Sequence, residues 1–286
     1  MKKLNAVILA AGFASRFVPL SWQTPKGLMT VRGEVLIERQ IRQLREAGVE
    51  DICVVAGYQA EKFFRLADIP GVQVRVNEQY AERNNHASLY AVRDLLGDTY
   101  VCSSDNYFPE NPFLLPPDGA YYAAQYAQGP TDEWCIRTDA QGYITGADIG
   151  GRDAWYMLGH TFWDEAFSRG FVDILLREYD RPGTAGKLWE SIYLEHTDTL
   201  KMKMRRYPAG SILEFDSLDE LRAFDAGYME DTRCDLLARL AERLGGTQGE
   251  MSAFRPEKSA ERAFSFLFRG RRYCCHAETD TLEEVQ

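Results

Sequence analysis

The residues Leu9, Ala10, Ala11, Gly12, Phe13, Ala14, Ser15 and Arg16 follow an apolar stretch directly, and Thr24-Pro25-Lys26 comes shortly after. Small side chains behind a buried strand let backbone N–H groups approach a triphosphate closely. Arg16 adds a planar fork of donors for phosphate oxygens, and Lys26 a compact positive charge. The competing reading is an ordinary strand-to-helix turn with two surface cations. The Pro-Lys pair at this distance counts against it.

Two acidic stretches supply the complementary chemistry. Ser103-Ser104-Asp105-Asn106 closes a second apolar run, Thr99 to Cys102. A carboxylate at the carboxyl end of a strand is placed to hold magnesium against phosphates, although Asp105 would also suit a turn or a helix cap. The third stretch is Leu213-Glu214-Phe215-Asp216-Ser217, whose extended alternation puts Glu214 and Asp216 on one face. Asp216 would serve equally as the N-cap of a helix over 218–224, with Glu220 in a capping-type pair.

The elements that must position these residues are legible in the first half. Ala6 to Leu9, Asp51 to Ala56, Val72 to Val76 and Thr99 to Cys102 read as short buried strands. Helical spacing falls over Val35 to Ala47, closed by Gly48, and over Ala87 to Leu96. This alternation predicts an α/β fold, a doubly wound, Rossmann-like mixed sheet with right-handed crossovers. Ligands then bind at the carboxyl ends of the strands, where the loops after Leu9 and Cys102 lie.

Beyond Pro109 the pattern loosens. Tyr121 to Tyr126, Cys135 to Thr138, Tyr143 to Ile149 and Met202 to Tyr207 predict antiparallel strands inserted over the mouth of the site. Leu236 to Leu244 reads as an amphipathic helix, and Ala263 to Phe268 with Arg271 to Cys275 as a hairpin. The shift in composition places a boundary between a domain over 1–228 and a small appendage over 232–286.

Bulk properties bound the function class. The 286 residues are 45% hydrophobic and 27% charged, ordinary for a domain with a sizeable core. A net charge of −10 argues against a general nucleic-acid binder. No stretch approaches the roughly 20 apolar residues that cross a bilayer. The apolar run before Gly12 is about half a signal-peptide core and is followed by Arg16. The six cysteines show no CxxC pairs and no zinc-like spacing. The expectation is a cytoplasmic protein with no nucleic-acid or membrane partner; a homodimer is left open.

Together these motifs resemble the nucleotidyltransferase family of sugar-phosphate pyrophosphorylases and cytidylyltransferases, whose loop usually reads LAAGxGxR followed by PK. Ala14 stands here where the second glycine is usual. Further blocks are similar to the bacterial CTP:phosphocholine cytidylyltransferases: Gly57-Tyr58, Asn77-Glu78-Gln79-Tyr80, Asn84-Asn85, Ser88-Leu89-Tyr90, Asp105-Asn106-Tyr107, Thr131 to Trp134, Leu188-Trp189-Glu190 and Ser211 to Ser217.

That resemblance implies transfer of CMP from CTP to phosphocholine. It implies nucleotide contacts from Leu9 to Arg16 and at Gly57, Asn84, Asn85 and Ser103, with Lys26, Arg16 and Asp105 catalytic. It implies Mg2+ held by Asp105, Asp216 and Glu214. A trimethylammonium group is best held by aromatic faces beside a carboxylate. Trp134 with Asp132 or Glu133, Trp189 with Glu190, and Tyr156 are the candidates. Core or interface packing is the alternative for both tryptophans. A hexose-1-phosphate nucleotidyltransferase and a non-catalytic nucleotide-binding subunit are the rival functions.

The C-terminal stretch has a resemblance of its own. Phe254-Arg255-Pro256, Phe264-Ser265-Phe266 and Arg269 to Tyr273 look like the start of a choline-kinase N-lobe, but Lys258 to Arg262 lacks the glycine of that family's loop. The expectation is a vestigial or structural appendage.

Overall fold

The structure is a computed structural model and describes residues 3–257 and 262–285. The glycine-less stretch expected at Lys258 to Arg262 lies outside the described residues, save Arg262. The chain forms two compact units. The first comprises Met1–Gly12 and Ile37–Glu214, the second Phe13–Leu36 and Phe215–Gln286. The composition shift at 228–232 therefore falls inside the second unit, which recruits an N-terminal segment as well.

The first unit is built on β1 (Asn5–Ala10), α1 (Leu36–Glu46), β2 (Asp51–Ala56), β3 (Val72–Val76), α2 (His86–Ala91) and β4 (Thr99–Ser103). These are followed by β5 (Asn106–Tyr107), β6 (Tyr121–Thr138), β7 (Ile144–Trp163), α3 (Glu165–Glu178), α4 (Trp189–Leu194), β8 (Lys203–Arg206) and β9 (Leu213–Glu214). Seven of the strands share a sheet in the order β8-β6-β7-β4-β1-β2-β3. β1 is parallel to both β2 and β4, and β7 runs antiparallel to β4 and β6. The predicted doubly wound mixed sheet is this one.

The chain leaves β1 toward β3 on one side and returns to β4 on the other. That reversal opens a crevice at the carboxyl ends of β1 and β4, the ligand-binding position of such sheets. After their first residues, Asn5 and Asp51, β1 and β2 are apolar because both faces are covered. Helix α1 buries Leu36, Ile37, Ile41 and Leu44 on one stripe and closes at Gly48, whose φ of +84° no Cβ-bearing residue adopts cheaply.

The antiparallel strands do not form a separate layer. β6 and β7 make one long hairpin that extends the main sheet: its beginning at Tyr121 and Phe162 is core, its middle over 126–133 and 148–153 is largely exposed, and Cys135 and Ile144 toward the turn are buried again. Helix α3 and the turn of α4 cover this part of the sheet. Asp164 caps α3 by accepting from the Phe167 N–H at 2.8 Å. Trp163, Phe167, Phe171, Trp189 and Tyr193 then interlock, with ring centroids 4.7–6.3 Å apart.

The second unit pairs α5 (Leu218–Phe224) and α6 (Asp235–Arg243) with an antiparallel sheet. That sheet consists of β10 (Met251–Pro256), β11 (Ala263–Phe268), β12 (Arg271–His276) and β13 (Thr281–Val285), in that order. Phe254, Phe264, Phe266 and Tyr273 stack across its strands. The buried Arg222 guanidinium donates to the carbonyls of Tyr228, Gln248 and Met251, which compensates its desolvation.

Candidate active site

The crevice of the first unit is held open by three local devices. Gly57 passes so close to the first loop that an added Cβ would meet Ala11 Cβ at 2.8 Å and Tyr80 Cβ at 2.7 Å. The next residue, Tyr58, donates its N–H to the Ala11 carbonyl at 3.1 Å. Gly57 thus acts by admitting backbone contact, fixing Leu9 to Gly12. On the other side, the Ser104 N–H donates to the Leu9 carbonyl at 3.0 Å.

The turn that presents Asp105 is clamped from behind. Gln40, fully buried on α1, donates to the carbonyls of Ser103 and Asn106 at 2.8 and 2.9 Å. The short ladder β5–β9 pairs Glu214 with Asn106 and so places a second carboxylate beside this turn. Sequence reasoning missed Gln40. Its signal, a polar residue on the apolar stripe of a helix, was present.

A cavity of about 140 Å3 lies in this unit. Its wall includes Ser103, Asn106, Tyr122, Trp189, Glu190 and Glu214. Glu190 is held by two neutral donors: Asn85 Nδ2 at 3.2 Å and the Tyr122 hydroxyl at 3.3 Å. Burial pushes the Glu190 carboxyl up to about 7, against the opposing pull of its own backbone amide, Asn85 and Tyr122. Asn106 is buried in the same wall with neither its amide oxygen nor its amide nitrogen hydrogen-bonded. Its amide therefore has both a donor and an acceptor to offer a polar ligand.

Asn84 and Asn85 are engaged by the segment that carries Glu190. Asn84 donates from its backbone to Ala185 and from its side chain to Gly186, at 2.9 and 3.2 Å. The Trp189 N–H donates to Asn85 Oδ1 at 2.7 Å, and His86 Nδ1 donates to the Lys187 carbonyl at 2.7 Å. Three consecutive residues thus stitch the start of α2 to the start of α4.

Of the residues expected around a quaternary ammonium, Trp189 and Glu190 line the cavity. Trp134, Asp132 and Tyr156 are not among its described lining residues. Trp189 is 2% exposed and stacks on Tyr122 with centroids 5.7 Å apart, while its other sides pack against Trp163 and Phe171. It is a core residue with one edge on the cavity. A larger groove, about 830 Å3, runs along α3 past Asp164, Leu176, Arg177 and Lys201. None of the motif residues lines it, so it carries no part of this chemistry.

The second unit holds the cationic residues. Ala14 has φ 47° and ψ 49°, the left-handed conformation that the usual glycine adopts without strain. Arg16 follows on the turn Ser15–Phe17 and meets Asp216 Oδ2 at 2.7 Å. Lys26 lies along Phe17, its Nζ 5.3 Å from the ring centroid and 3.9 Å from Asp216 Oδ1. The alternative role for Asp216 is filled by its neighbour. Ser217 is the N-cap of α5, accepting from the Glu220 N–H at 3.2 Å, and Glu220 accepts in turn from the Asp216 N–H at 2.8 Å. The Asp216 carboxylate is thereby released to face the two cations.

Among the described residues no group of three or more carboxylates, imidazoles or thiols forms a metal cage. Magnesium is usually held by one or two carboxylates together with substrate phosphates. Asp105, which directly precedes the residue that Glu214 pairs with in the β5–β9 ladder, and Glu214 are carboxylates of the kind that donor set needs. The six cysteines are unpaired by disulfides, and no described helix is long and apolar enough to cross a membrane.

Comparison with known proteins agrees with this fold. Residues 6–131 match the family described as MobA-like NTP transferase domain. The chain is 34% identical to a 2-aminoethylphosphonate cytidylyltransferase of Lancefieldella rimae, over 80% of this chain and 94% of that one. It is 30% identical to a choline-phosphate cytidylyltransferase of Streptococcus pneumoniae, over 78% of this chain and 97% of that one. A solved structure of CTP:phosphocholine cytidylyltransferase from Streptococcus pneumoniae superposes with a TM-score of 0.74 at 30% identity, covering 77% of this chain and 97% of that one. None of these comparisons supports the likeness of residues 232–286 to a choline-kinase N-lobe.

Proposed function

The chain belongs to the cytidylyltransferases of the nucleotidyltransferase family, and from that premise we propose that it transfers CMP from CTP to a small phosphonate or phosphate bearing a primary ammonium group. The observation that carries this reading is the polar wall of the 140 Å3 cavity, where Glu190 and the unsatisfied Asn106 offer hydrogen-bond acceptors. A primary ammonium donates three hydrogen bonds and uses such a wall; a trimethylammonium donates none. The relative from Lancefieldella rimae, by its name, acts on 2-aminoethylphosphonate.

An acceptor oxygen attacks the α-phosphorus of CTP. The bond from that phosphorus to the bridging oxygen breaks, and pyrophosphate leaves with the electron pair. The nucleophile is already anionic near neutral pH, so no strong general base is needed. The protein's contribution is positioning and charge neutralisation. Lys26 and Arg16 offset charge on the triphosphate and the leaving pyrophosphate. Asp105 and Glu214 in the first unit are carboxylates proposed to hold magnesium, which when bound would neutralise phosphate charge; Asp216 in the second is proposed for the same role. Leu9 to Gly12, fixed by Gly57 and Tyr58, offer backbone donors to the nucleotide.

Phosphocholine is the second reading, favoured by the stacked Tyr122–Trp189 pair in the cavity wall and by the choline-phosphate relative. Pyrophosphate release decides between them. CTP should be used at least tenfold more efficiently with 2-aminoethylphosphonate or phosphoethanolamine than with phosphocholine. The reverse order makes phosphocholine the acceptor, and preference for glucose-1-phosphate sinks both readings.

A further inference from the structure

The second unit joins two segments far apart in sequence. One is Phe13–Leu36, which carries Arg16 and Lys26; the other is Phe215–Gln286, most of which the sequence presents as an appendage. The contacts between them fall on both sides of the two cations. Strand β10 runs alongside the turn Ser15–Phe17 that bears Arg16. Trp22, on the short helix Leu20–Gln23 that separates Arg16 from Lys26, packs edge-on against Phe264 of β11 with centroids 5.6 Å apart. Arg262 lies over the Trp22 ring at 5.6 Å.

Gln23 and the start of α6 exchange hydrogen bonds in both directions. Gln23 Nε2 donates to Asp235 Oδ2 at 3.1 Å, and the Asp235 N–H donates to Gln23 Oε1 at 3.0 Å. Past Lys26, the Thr30 carbonyl accepts from the Tyr228 hydroxyl at 2.8 Å and from Arg233 at 2.5 Å. Asp225 accepts from the Arg32 N–H at 2.8 Å. The segment Phe13–Leu36 has little regular structure of its own: three-residue turns, one four-residue helix and a two-residue hairpin. It cannot hold two phosphate-binding side chains in register without support.

We propose that the C-terminal sheet and α6 are a brace that sets Arg16 and Lys26 for the triphosphate, with Trp22 and Gln23 as its positioning residues. The inference rests on the reading of Arg16 and Lys26 given above. About a fifth of this chain lies outside its alignments with the Lancefieldella rimae and Streptococcus pneumoniae cytidylyltransferases, which are covered over 94% and 97% of their own lengths.

The test is steady-state kinetics on the full chain with both substrates varied. Trp22→Ala should raise the KM for CTP roughly tenfold, since misplacement by about 1 Å is enough to cost that much or more. The acceptor KM should stay within about twofold, and Trp22→Phe, which keeps a ring against Phe264, should recover most of the loss. Gln23→Ala, at an exposed position, repeats the experiment without risk to the core and should raise the CTP KM by a few fold. A fall in melting temperature with both KM values unchanged overturns the brace, as does an equal rise in both. Lys26→Met separates the two layers of the argument. If it impairs CTP use and the Trp22 and Gln23 variants do not, the brace alone fails. If it leaves CTP use intact, the triphosphate reading fails and the brace with it.

Discussion

The two units meet the same physical problem, handling charge, in opposite ways. In the first, Glu190 sits in a buried wall with neutral donors and, among the described residues, no paired cation, and its carboxyl is pushed toward the protonated form. In the second, Asp216 is already paired with Arg16 and Lys26 at a partly exposed position, where water screens the interaction. Such a pair is worth only about 0–1 kcal/mol and exchanges partners readily. A buried, unpaired carboxyl is costly until the right cation arrives, so it discriminates between ligands. The first arrangement suits selection of an acceptor. The second suits a polyanion that must be held and then released.

The comparison breaks most visibly at Asp216. If its carboxylate serves catalysis rather than the helix, Asp216→Asn should lower kcat by about 10^2- to 10^3-fold. The melting temperature should barely move, because Ser217 caps α5 and Asn still accepts from Arg16. A stability loss without a rate loss would return Asp216 to a structural role.

Trp189 tests the other unit. Its rings are wedged among Trp163, Phe171 and Tyr122, so Trp189→Ala should cost about 3–5 kcal/mol in denaturant unfolding. Trp134→Ala, on the half-buried hairpin, should cost less and leave the acceptor KM within about twofold, since Trp134 does not line the cavity. A large acceptor-specific effect at Trp134 with little change at Trp189 would mean that the acceptor sits on the hairpin instead.

Glu190 gives a smaller but more specific signal. Its folded pKa of about 7 lies above the ordinary carboxylate value, so the charged form that attracts an ammonium is gained as pH rises through about 7. The acceptor KM should fall by about tenfold per pH unit on the acid side and level off above. Glu190→Gln should raise the acceptor KM roughly tenfold and remove this limb, leaving the titration of the acceptor's own phosphate or phosphonate. The stability linkage has the opposite sign: because the folded state holds the proton more tightly, this group's contribution declines as pH rises from about 4.5 to about 7. An unchanged pH profile in Glu190→Gln would remove Glu190 from acceptor binding.

What the sequence made legible was local in the chain. Parallel strands buried on both faces leave continuous apolar runs, and small residues with a following Pro-Lys mark a phosphate loop whatever surrounds it. Helix α3 was equally local, with Asp164 as its cap and Phe167, Phe171, Ile174 and Leu175 on one stripe, but it lies in a stretch where strand signals on either side drew the reading. The remainder depended on distant residues meeting. Gln40 clamps a turn more than sixty positions away, Asn85 reaches Glu190, and Phe13–Leu36 joins the C-terminal sheet. Nor does aromatic content say which tryptophan faces a cavity; Trp134 and Trp189 were equivalent until their neighbours were known.

The smallest effect lies at Ala14, where the chain departs from the usual glycine. Its φ of 47° is left-handed, which costs an L-residue about 1–2 kcal/mol through the approach of Cβ to the following carbonyl. Glycine removes that strain but loses more conformational entropy on folding, about 0.5–1 kcal/mol. The strain term exceeds the entropy term, so Ala14→Gly should stabilise the chain by about 0.5–1 kcal/mol, read as a higher denaturant midpoint. Ala14→Val should do the reverse, since a β-branched side chain is worse placed in this conformation. The CTP KM should change by less than about twofold in Ala14→Gly, provided that Arg16 is held by the sheet behind it rather than by the loop's own preference. A large gain in CTP affinity on restoring the glycine would instead place the control in the loop, and the second unit would then differ from the first only in exposure.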